Sequence, residues 1–264
     1  MLEQVTPLLL TWNEAPNLGR VLERLSWAGR VVVLDSGSDD GTQEIARAFP
    51  NVVLIERRFD EHATQWNHGL ASDAIQTGWV LAMDADYVLP EAFVAELRAL
   101  DPGADVDGYE AAFRYCIAGR PLSGSLYPPV TVLYRRERAS YVQEGHTQRL
   151  RVAGQVLRLQ SRIDHDDRKP LSRWLASQDR YATLEARLLA QTPWRELRWQ
   201  DRLRKMLFVA PWLAPLYALL AKGAIFDGRA GWHYALQRGV AEAILSMKLV
   251  EAVLDRNPAT DPAK

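Results

Sequence analysis

Residues 79–86, WVLAMDAD, end an apolar run on two carboxylates separated by a single alanine. In an extended strand, residues two apart share a side, so Asp84 and Asp86 address one spot. Like charges that close repel, and a cation relieves them. Hard carboxylate oxygens suit Mg²⁺ or Mn²⁺, which bind through one or two protein carboxylates and take further oxygens from phosphate. A metal there would neutralise the carboxylates and a leaving diphosphate together. Two other apolar runs end on polar groups. The first closes on Thr11, Trp12, Asn13 and Glu14, the second on Asp35 followed by SGSDDGT. Asp35 can accept hydrogen bonds from a ribose or a base. Gly37 and Gly41 permit a tight backbone there, and Ser38, Asp39 and Asp40 are helix-capping types.

The elements that must position these groups are legible from periodicity. VTPLLLTW, RVVVLD, NVVLIE and GWVLAMD are too continuously apolar for a sheet with one wet face, and read as buried parallel strands. Between them Leu18, Val21, Leu22 and Leu25 keep helical spacing, as do Ile45, Ala46 and Phe49, then Trp66, Leu70 and Ala74. Repeated strand and helix units of this length predict an α/β fold, a mainly parallel sheet with helices on both faces. Ligands bind such sheets beyond the carboxyl ends of the strands. All three polar ends therefore converge on one acidic crevice. Neither GxGxxG nor GxxxxGK[ST] occurs, which excludes the two familiar phosphate-binding fingerprints.

Beyond about residue 105, GYEAAFRYCI, VTVLYRR and QVLRLQSRI suggest antiparallel strands added to the parallel half. From Pro170 the pattern is helical, with Leu171, Trp174, Leu175, Gln178, Tyr181 and Leu184 marking one face. Residues 206–221, MLFVAPWLAPLYALLA, carry no charge but are broken by Pro211 and Pro215. The run is short of the ~20 apolar residues a spanning helix needs, so an interfacial or core segment is expected. The expected division is 1–168 for the α/β domain that carries the acidic crevice and 169–264 for a helical carboxyl-terminal extension.

With 264 residues and 48% hydrophobic composition, the chain can bury a sizeable core. Its 32 basic and 33 acidic residues argue against a general polyanion binder, so nucleic acid is not an expected partner. Cys116, the single cysteine, cannot form an internal disulfide, which suits a reducing cytosol. Glu3 and Gln4 before a short apolar run lack the form of a secretory leader, and a cytoplasmic protein is expected.

TWNEAPNL, LDSGSDDGT and AMDADYVL, in this order and spacing, resemble the family 2 glycosyltransferases, inverting enzymes of GT-A fold that use nucleotide-activated sugars. EGHTQRL, HDDRKPLSRW and RYATLEA extend the similarity to the bacterial branch that includes lipopolysaccharide-core glucosyltransferases. The resemblance implies that Thr11, Asn13, Glu14 and Asp35 lie along the nucleotide, with Asp84 near the ribose or diphosphate and Asp86 on the metal. It also implies a basic residue in the helix after the third strand, where HATQWNHGL instead offers Gln65, His62 or His68. His165 is a candidate to complete the metal or diphosphate site, or a plain hydrogen-bonding residue. Arg168 and Lys169 are candidate phosphate contacts.

Inverting transfer needs a general base beside the acceptor hydroxyl. In the QEGHTQR segment, taken as a loop, Glu144 is the favoured base, with Asp164 and Asp166 next in line. The expected function is metal-dependent transfer of a sugar from a nucleotide-sugar donor to a saccharide acceptor, lipid-linked or part of a lipopolysaccharide core. Arg195, Arg198, Arg202, Arg204 and Lys205 precede the uncharged run, which suggests a peripheral site on an anionic membrane, at the cytoplasmic face of the inner membrane. The alternatives are a nucleotidyltransferase, which commonly has a glycine-rich basic loop that TWNEAPNL lacks, and a non-catalytic nucleotide-sugar or saccharide binding protein.

Overall fold

The computed structural model describes residues 1–144 and 147–254, without the side chains of Glu144 and Thr147. The chain divides into two compact units, Met1–Pro121 with Tyr127–Lys169, and Leu122–Leu126 with Pro170–Lys264.

The first unit opens with β1 (Val5–Thr11), α1 (Ala15–Glu23), β2 (Val31–Asp35), α2 (Thr42–Arg47), β3 (Val52–Glu56), α3 (His62–Ala71) and β4 (Trp79–Asp84). The parallel strands run in the order β3-β2-β1-β4. Their apolar continuity follows from burial on both faces. Leu9, Val33, Leu81 and Met83 meet α1 residues Leu18, Val21 and Leu22 on one side. Leu8, Val32, Val80 and Ala82 meet α3 residues Trp66 and Leu70 on the other. α3 packs closely because residue 69 is glycine: a Cβ there would stand 2.9 Å from Leu8 Cδ2.

The unit continues with β5 (Tyr87–Val88), α4 (Glu91–Ala99), β6 (Val106–Ile117), β7 (Arg120–Pro121), β8 (Val130–Arg135), β9 (Ala139–Glu144), β10 (Thr147–Val152) and β11 (Gln155–His165). β8 joins β4 and β6 antiparallel, as expected, but β11 runs parallel to β6. The long return through β8 and β9-β10 supplies the crossover that a parallel pair requires. The QEGHTQR segment is not a plain loop either. Gln143 and Glu144 end β9 and Thr147, Gln148 and Arg149 begin β10, two antiparallel strands in which Tyr141 is paired with Leu150.

The second unit holds α5 (Leu171–Gln191), α6 (Trp199–Lys205), α7 (Ala210–Leu216), a π turn (Tyr217–Ala221), a 3₁₀ turn (Ala224–Asp227) and α8 (Gly228–Leu254). The expected buried face of α5 is corrected. Leu171, Leu175, Tyr181 and Leu184 are exposed, and Ala182, Ala186 and Leu189 are the residues clustered with Leu245 and Leu249 of α8. Small alanines let two helices approach, which leaves the large side chains outside. Residues 122–126 belong to this unit through Ser123, whose N–H and Oγ donate to Asp227 (2.9 and 2.6 Å), and through Leu126 N–H on the Tyr234 hydroxyl (2.8 Å). No described helix is long and apolar enough to cross a membrane.

Candidate active site

Strand register explains why the polar ends meet. Leu10 stands beside Leu34 on one flank and Asp84 on the other, and Thr11 beside Asp35. Asp35 is buried and accepts from five donors: Thr11 Oγ1 (2.8 Å), Ser38 Oγ (2.5 Å), the amides of Gly37 (3.1 Å) and Ser38 (2.8 Å), and Gln43 Nε2 (2.8 Å). Burial alone would raise its carboxyl, but the bonds from Ser38, Gln43 and Thr11 outweigh burial and hold it below the ordinary value. Asp35 therefore shapes the turn after β2 with the same oxygens the sequence offered to a nucleoside.

That turn is stitched to the turn after β1. Asn13 adopts φ 58°, a left-handed conformation that asparagine tolerates better than most residues. Its N–H donates to Ser38 Oγ (2.7 Å), and its Oδ1 accepts from Asp39 N–H (2.8 Å). The Glu14 amide donates to Thr42 Oγ1 (2.7 Å) and the Ala15 amide to Asp40 Oδ2 (3.2 Å). Capping of the two helix starts is thus spread over two turns, with the acceptors of one serving the amides of the other.

The segment after β11 closes the same crevice. Lys169 Nζ donates to Glu14 Oε1 at 2.6 Å, and Asn17 Nδ2 donates to Glu14 Oε2 and Asp167 Oδ1, both at 2.9 Å. Burial raises the Glu14 carboxyl in spite of Lys169. Lys169 is itself raised: burial opposes this, but Glu14, Asp167 and Asp86 prevail. Arg168 binds Asp166 (2.8 Å), which also takes Arg20 Nη1 and the Gly119 amide, so the Arg168 guanidinium is committed to a carboxylate. Asp164 is gripped through both oxygens by Arg114 (2.6 and 2.8 Å). Asp164 and Asp166, the alternative bases, are therefore both held in ion pairs with arginines. Asn17, fully buried, and Arg20 were missed in the sequence; a polar residue next to the apolar face Leu18, Val21, Leu22 was the available signal.

Asp84 and Asp86 part company. The Asp84 side chain reaches solvent, whereas Asp86 is buried. The protein crowded around Asp84 and the neighbouring Asp86 charge push its carboxyl up to about 6. Since water still reaches Asp84, repulsion by Asp86 is the cause that does not depend on dryness. Asp86 moves the opposite way: burial would raise it, but His165 and Lys169 hold it below the ordinary value.

His165 arrives through β11, whose end pairs antiparallel with β5, His165 opposite Tyr87. Its Nε2 lies 3.2 Å from Asp86 Oδ2, and the rings of Tyr87, Tyr115 and Tyr127 surround it at 4.6–5.6 Å. Burial would lower the imidazole, yet Asp86 raises it. Asp86 Oδ1 and His165 Nδ1 are both buried without a hydrogen-bond partner. Among the described residues no three His, Cys, Asp or Glu are gathered to hold an ion by themselves. A carboxylate oxygen left unbonded beside an imidazole fits a cation that takes its remaining ligands from phosphate.

Gln65 is fully buried, with Nε2 donating to Ser36 Oγ (3.1 Å) and to the Arg57 carbonyl (3.3 Å), while its Oε1 accepts from Arg57 Nη1. It therefore joins the turn after β2, and Arg57, another residue missed in the sequence, holds it from the end of β3 while its guanidinium is paired with Asp60 (2.6 and 2.9 Å). Trp66 is core, stacked on Tyr141 at 5.2 Å; His62 and His68 are exposed on α3. The side chain of Glu144, the favoured base, lies outside the described residues. Of the other sequence candidates, Thr11, Asn13, Glu14, Asp35 and Gln65 meet around the two turns, and Asp84, Asp86 and His165 meet at the end of β4.

Several solved structures share this outline at low identity. S. aureus TarS 1–349 in complex with UDP-GlcNAc is 13% identical, with 96% of this chain and 92% of that chain covered and a TM-score of 0.49. Glucosyl-3-phosphoglycerate synthase from Mycobacterium tuberculosis, in complex with Mn²⁺, UDP and phosphoglyceric acid, is 16% identical, with 72% and 80% covered and a TM-score of 0.46. The α/β sheet flanked by helices, with a helical carboxyl-terminal part, is the fold class expected of a GT-A protein. Residues 8–120, which include the β1 and β2 turns and the Asp84-Ala85-Asp86 triplet, match the family model Glycosyl transferase family 2.

Proposed function

We propose that this chain is a metal-dependent, inverting glycosyltransferase that moves a sugar from a nucleotide-sugar donor to a saccharide acceptor. The observation that carries the reading is Asp86 Oδ1, a buried carboxylate oxygen without a partner at a strand end inside the segment that matches the family. Thr11, Asn13, Glu14, Asp35, Gln65 and Asp84 form or frame the donor pocket, Asp35 by holding the turn that the nucleoside lies against. Asp86 and His165, with Asp84 beside them, would hold Mg²⁺ or Mn²⁺. Such an ion supplies the charge that lets a diphosphate leave. Lys169, paired with Glu14 and Asp167 and raised by them with a smaller part from Asp86, adds a protein cation beside the same group.

Glu144 takes the proton of the acceptor hydroxyl. The freed oxygen forms a bond to the anomeric carbon on the face opposite the diphosphate, and the bond to the diphosphate breaks, which inverts the centre. The acceptor we assign is a saccharide carried on a lipid, as in a lipopolysaccharide core. Its supports are the resemblance in residues 144–184 and the exposed apolar surface of the second unit. That acceptor puts the enzyme at the cytoplasmic face of the inner membrane, with residues 1–168 as the catalytic domain and 169–264 as the extension.

Calorimetric titration of UDP-sugars with and without Mn²⁺, together with slow donor hydrolysis, tests the reading. Asp86→Ala should abolish the metal-dependent part of donor affinity and leave the fold intact. Equal metal-dependent affinity in variant and parent would overturn the assignment of Asp86.

A further inference from the structure

The second unit leaves uncovered what a folded domain normally hides. Phe208 (72% exposed), Trp212 (74%), Leu220 (67%) and Phe226 (88%) all lie within the short stretch from the end of α6 to the start of α8. Only small or occasional residues of that stretch turn inward, among them Ala210, Ala218 and Leu219. A mainly apolar groove of about 480 Å³ opens beside it, lined by Leu207, Phe208, Pro211 and Trp212 and, on α8, by Met247 and Val250 together with Ser246 and Glu251. Monomeric proteins rarely expose apolar surface in such concentration without a use for it.

Charge selects the occupant. Residues 206–226 contain no carboxylate and a single cation, Lys222, which sits 5.8 Å from the Tyr217 ring. Before them Arg195, Arg198, Arg202 and Lys205 stand against Glu196 and Asp201, and after them Arg229 follows Asp227, whose carboxylate is taken by Ser123. Arg204 is spent inside the unit on Glu242 and Glu185, whereas Arg202 and Lys205, among the described residues, donate only to backbone carbonyls, of Trp194, Arg195 and Thr192, and keep their charge uncompensated by them. An apolar face with cations at both ends and Trp and Tyr among its exposed residues complements an anionic bilayer, whose headgroups attract the cations while the acyl boundary receives the aromatics. The proline breaks and the π turn keep the segment from forming one continuous helix, so it fits a surface that lies in the interface and does not span it.

We infer that residues 206–226 of the second unit, with the groove over α8, form an insertion face for the acyl boundary of an anionic membrane. This deepens the reading of a lipid-borne acceptor and rests on it. Phe208, Trp212 and Phe226 enter the boundary, and the groove receives the upper part of a neighbouring acyl chain.

Flotation of the full chain with phosphatidylglycerol–phosphatidylcholine vesicles and with phosphatidylcholine vesicles, at low and high salt, tests the inference. Parent protein should float with anionic vesicles, less so at high salt, and brominated lipid should quench its tryptophan fluorescence. Trp212→Ala with Phe226→Ala should cut vesicle binding by at least about tenfold, because two large exposed side chains lose their burial in lipid. Its melting temperature and its donor-induced thermal shift should not change, since both residues are already exposed. Failure of parent protein to bind anionic vesicles overturns the inference. So does a lipid-free dimer by light scattering that the double variant abolishes, which would assign the face to a second copy. Donor-induced thermal shift is read on the same samples, so failure of the transferase reading shows as loss of that shift and not as loss of flotation.

Discussion

Asp84 and Asp86 begin as a symmetric pair in the sequence and end as two different acids. Asp86 is buried against His165 and keeps its charge, while Asp84 faces water and is pushed up to about 6 from 3.8. The unfolded chain releases the Asp84 proton near the lower value and the native chain near the higher one. Between them the native state binds more protons, so this group lowers stability as pH rises from about 4 to about 6 and the loss is complete above. Asp84→Asn removes that cost. The variant should be more stable than the parent at pH 7.5 by about 1 kcal/mol, discounted for the solvent that reaches the side chain, and equal to it near pH 4. Thermal melts at the two pH values decide, and an unchanged difference between them would show that the Asp84 carboxyl is not raised. The same residue predicts that donor binding weakens in the parent as pH falls below about 6, where Asp84 becomes neutral. At Glu144, Glu144→Gln should leave donor affinity unchanged and lower turnover about 10²- to 10⁴-fold, the usual range for a general base. An unchanged rate with acceptor would place the base elsewhere.

At the scale of elements, the β9-β10 pair carries Glu144, and α3 holds the pair. Asn67 on α3 donates to the Tyr141 carbonyl (2.7 Å) and accepts from the Tyr141 amide (2.9 Å), which mimics one rung of a β-ladder. Trp66 stacks on the Tyr141 ring beside it. These contacts fix the strand that leads to Glu144 although the helix contributes no reacting group. Asn67→Ala should cost about 1–3 kcal/mol, since it strands two backbone groups of a partly buried strand. If the pair positions the base, the variant should also lower kcat with the donor KM preserved. A fall confined to thermal stability would make Asn67 purely structural. The strap from His165 to Lys169 is the second such element. Its β-pairing to β5 brings His165 beside Asp86, and the Asp166 amide donates to the Asp86 carbonyl (3.0 Å).

For the whole molecule, the informative feature is a chain that builds two compact units from interleaved segments, with residues 122–126 lent to the second. The second unit depends on a close approach at Gly231. A Cβ there would lie 1.7 Å from the Ala224 carbonyl oxygen, so α8 and the 3₁₀ turn meet only because the residue is glycine. Gly231→Ala should destabilise the second unit by about 1–3 kcal/mol through overpacking. Vesicle flotation should fall with it, because residues 206–226 lead directly into that turn. Donor-induced thermal shift should persist, as every donor contact proposed lies in the first unit. Loss of both would tie the donor site to the packing around Gly231.

The sequence by itself determined the parallel half of the sheet, the three polar strand ends and their convergence. Buried parallel strands must be apolar on both faces, and only their ends are free to carry charge. It did not reveal that β11 returns parallel to β6, that β9 and β10 pair on either side of residues 145 and 146, or which face of α5 is buried. Those outcomes depend on partners distant in the chain, and local periodicity holds no information about them. The tertiary structure alone decided that Asp35 spends its oxygens on the turn after β2, that Lys169 meets Glu14, and that the partner of His165 is Asp86. Each is a pairing of charges or hydrogen-bonding groups between segments up to 155 residues apart, and such pairings exist only after the sheet has set their register.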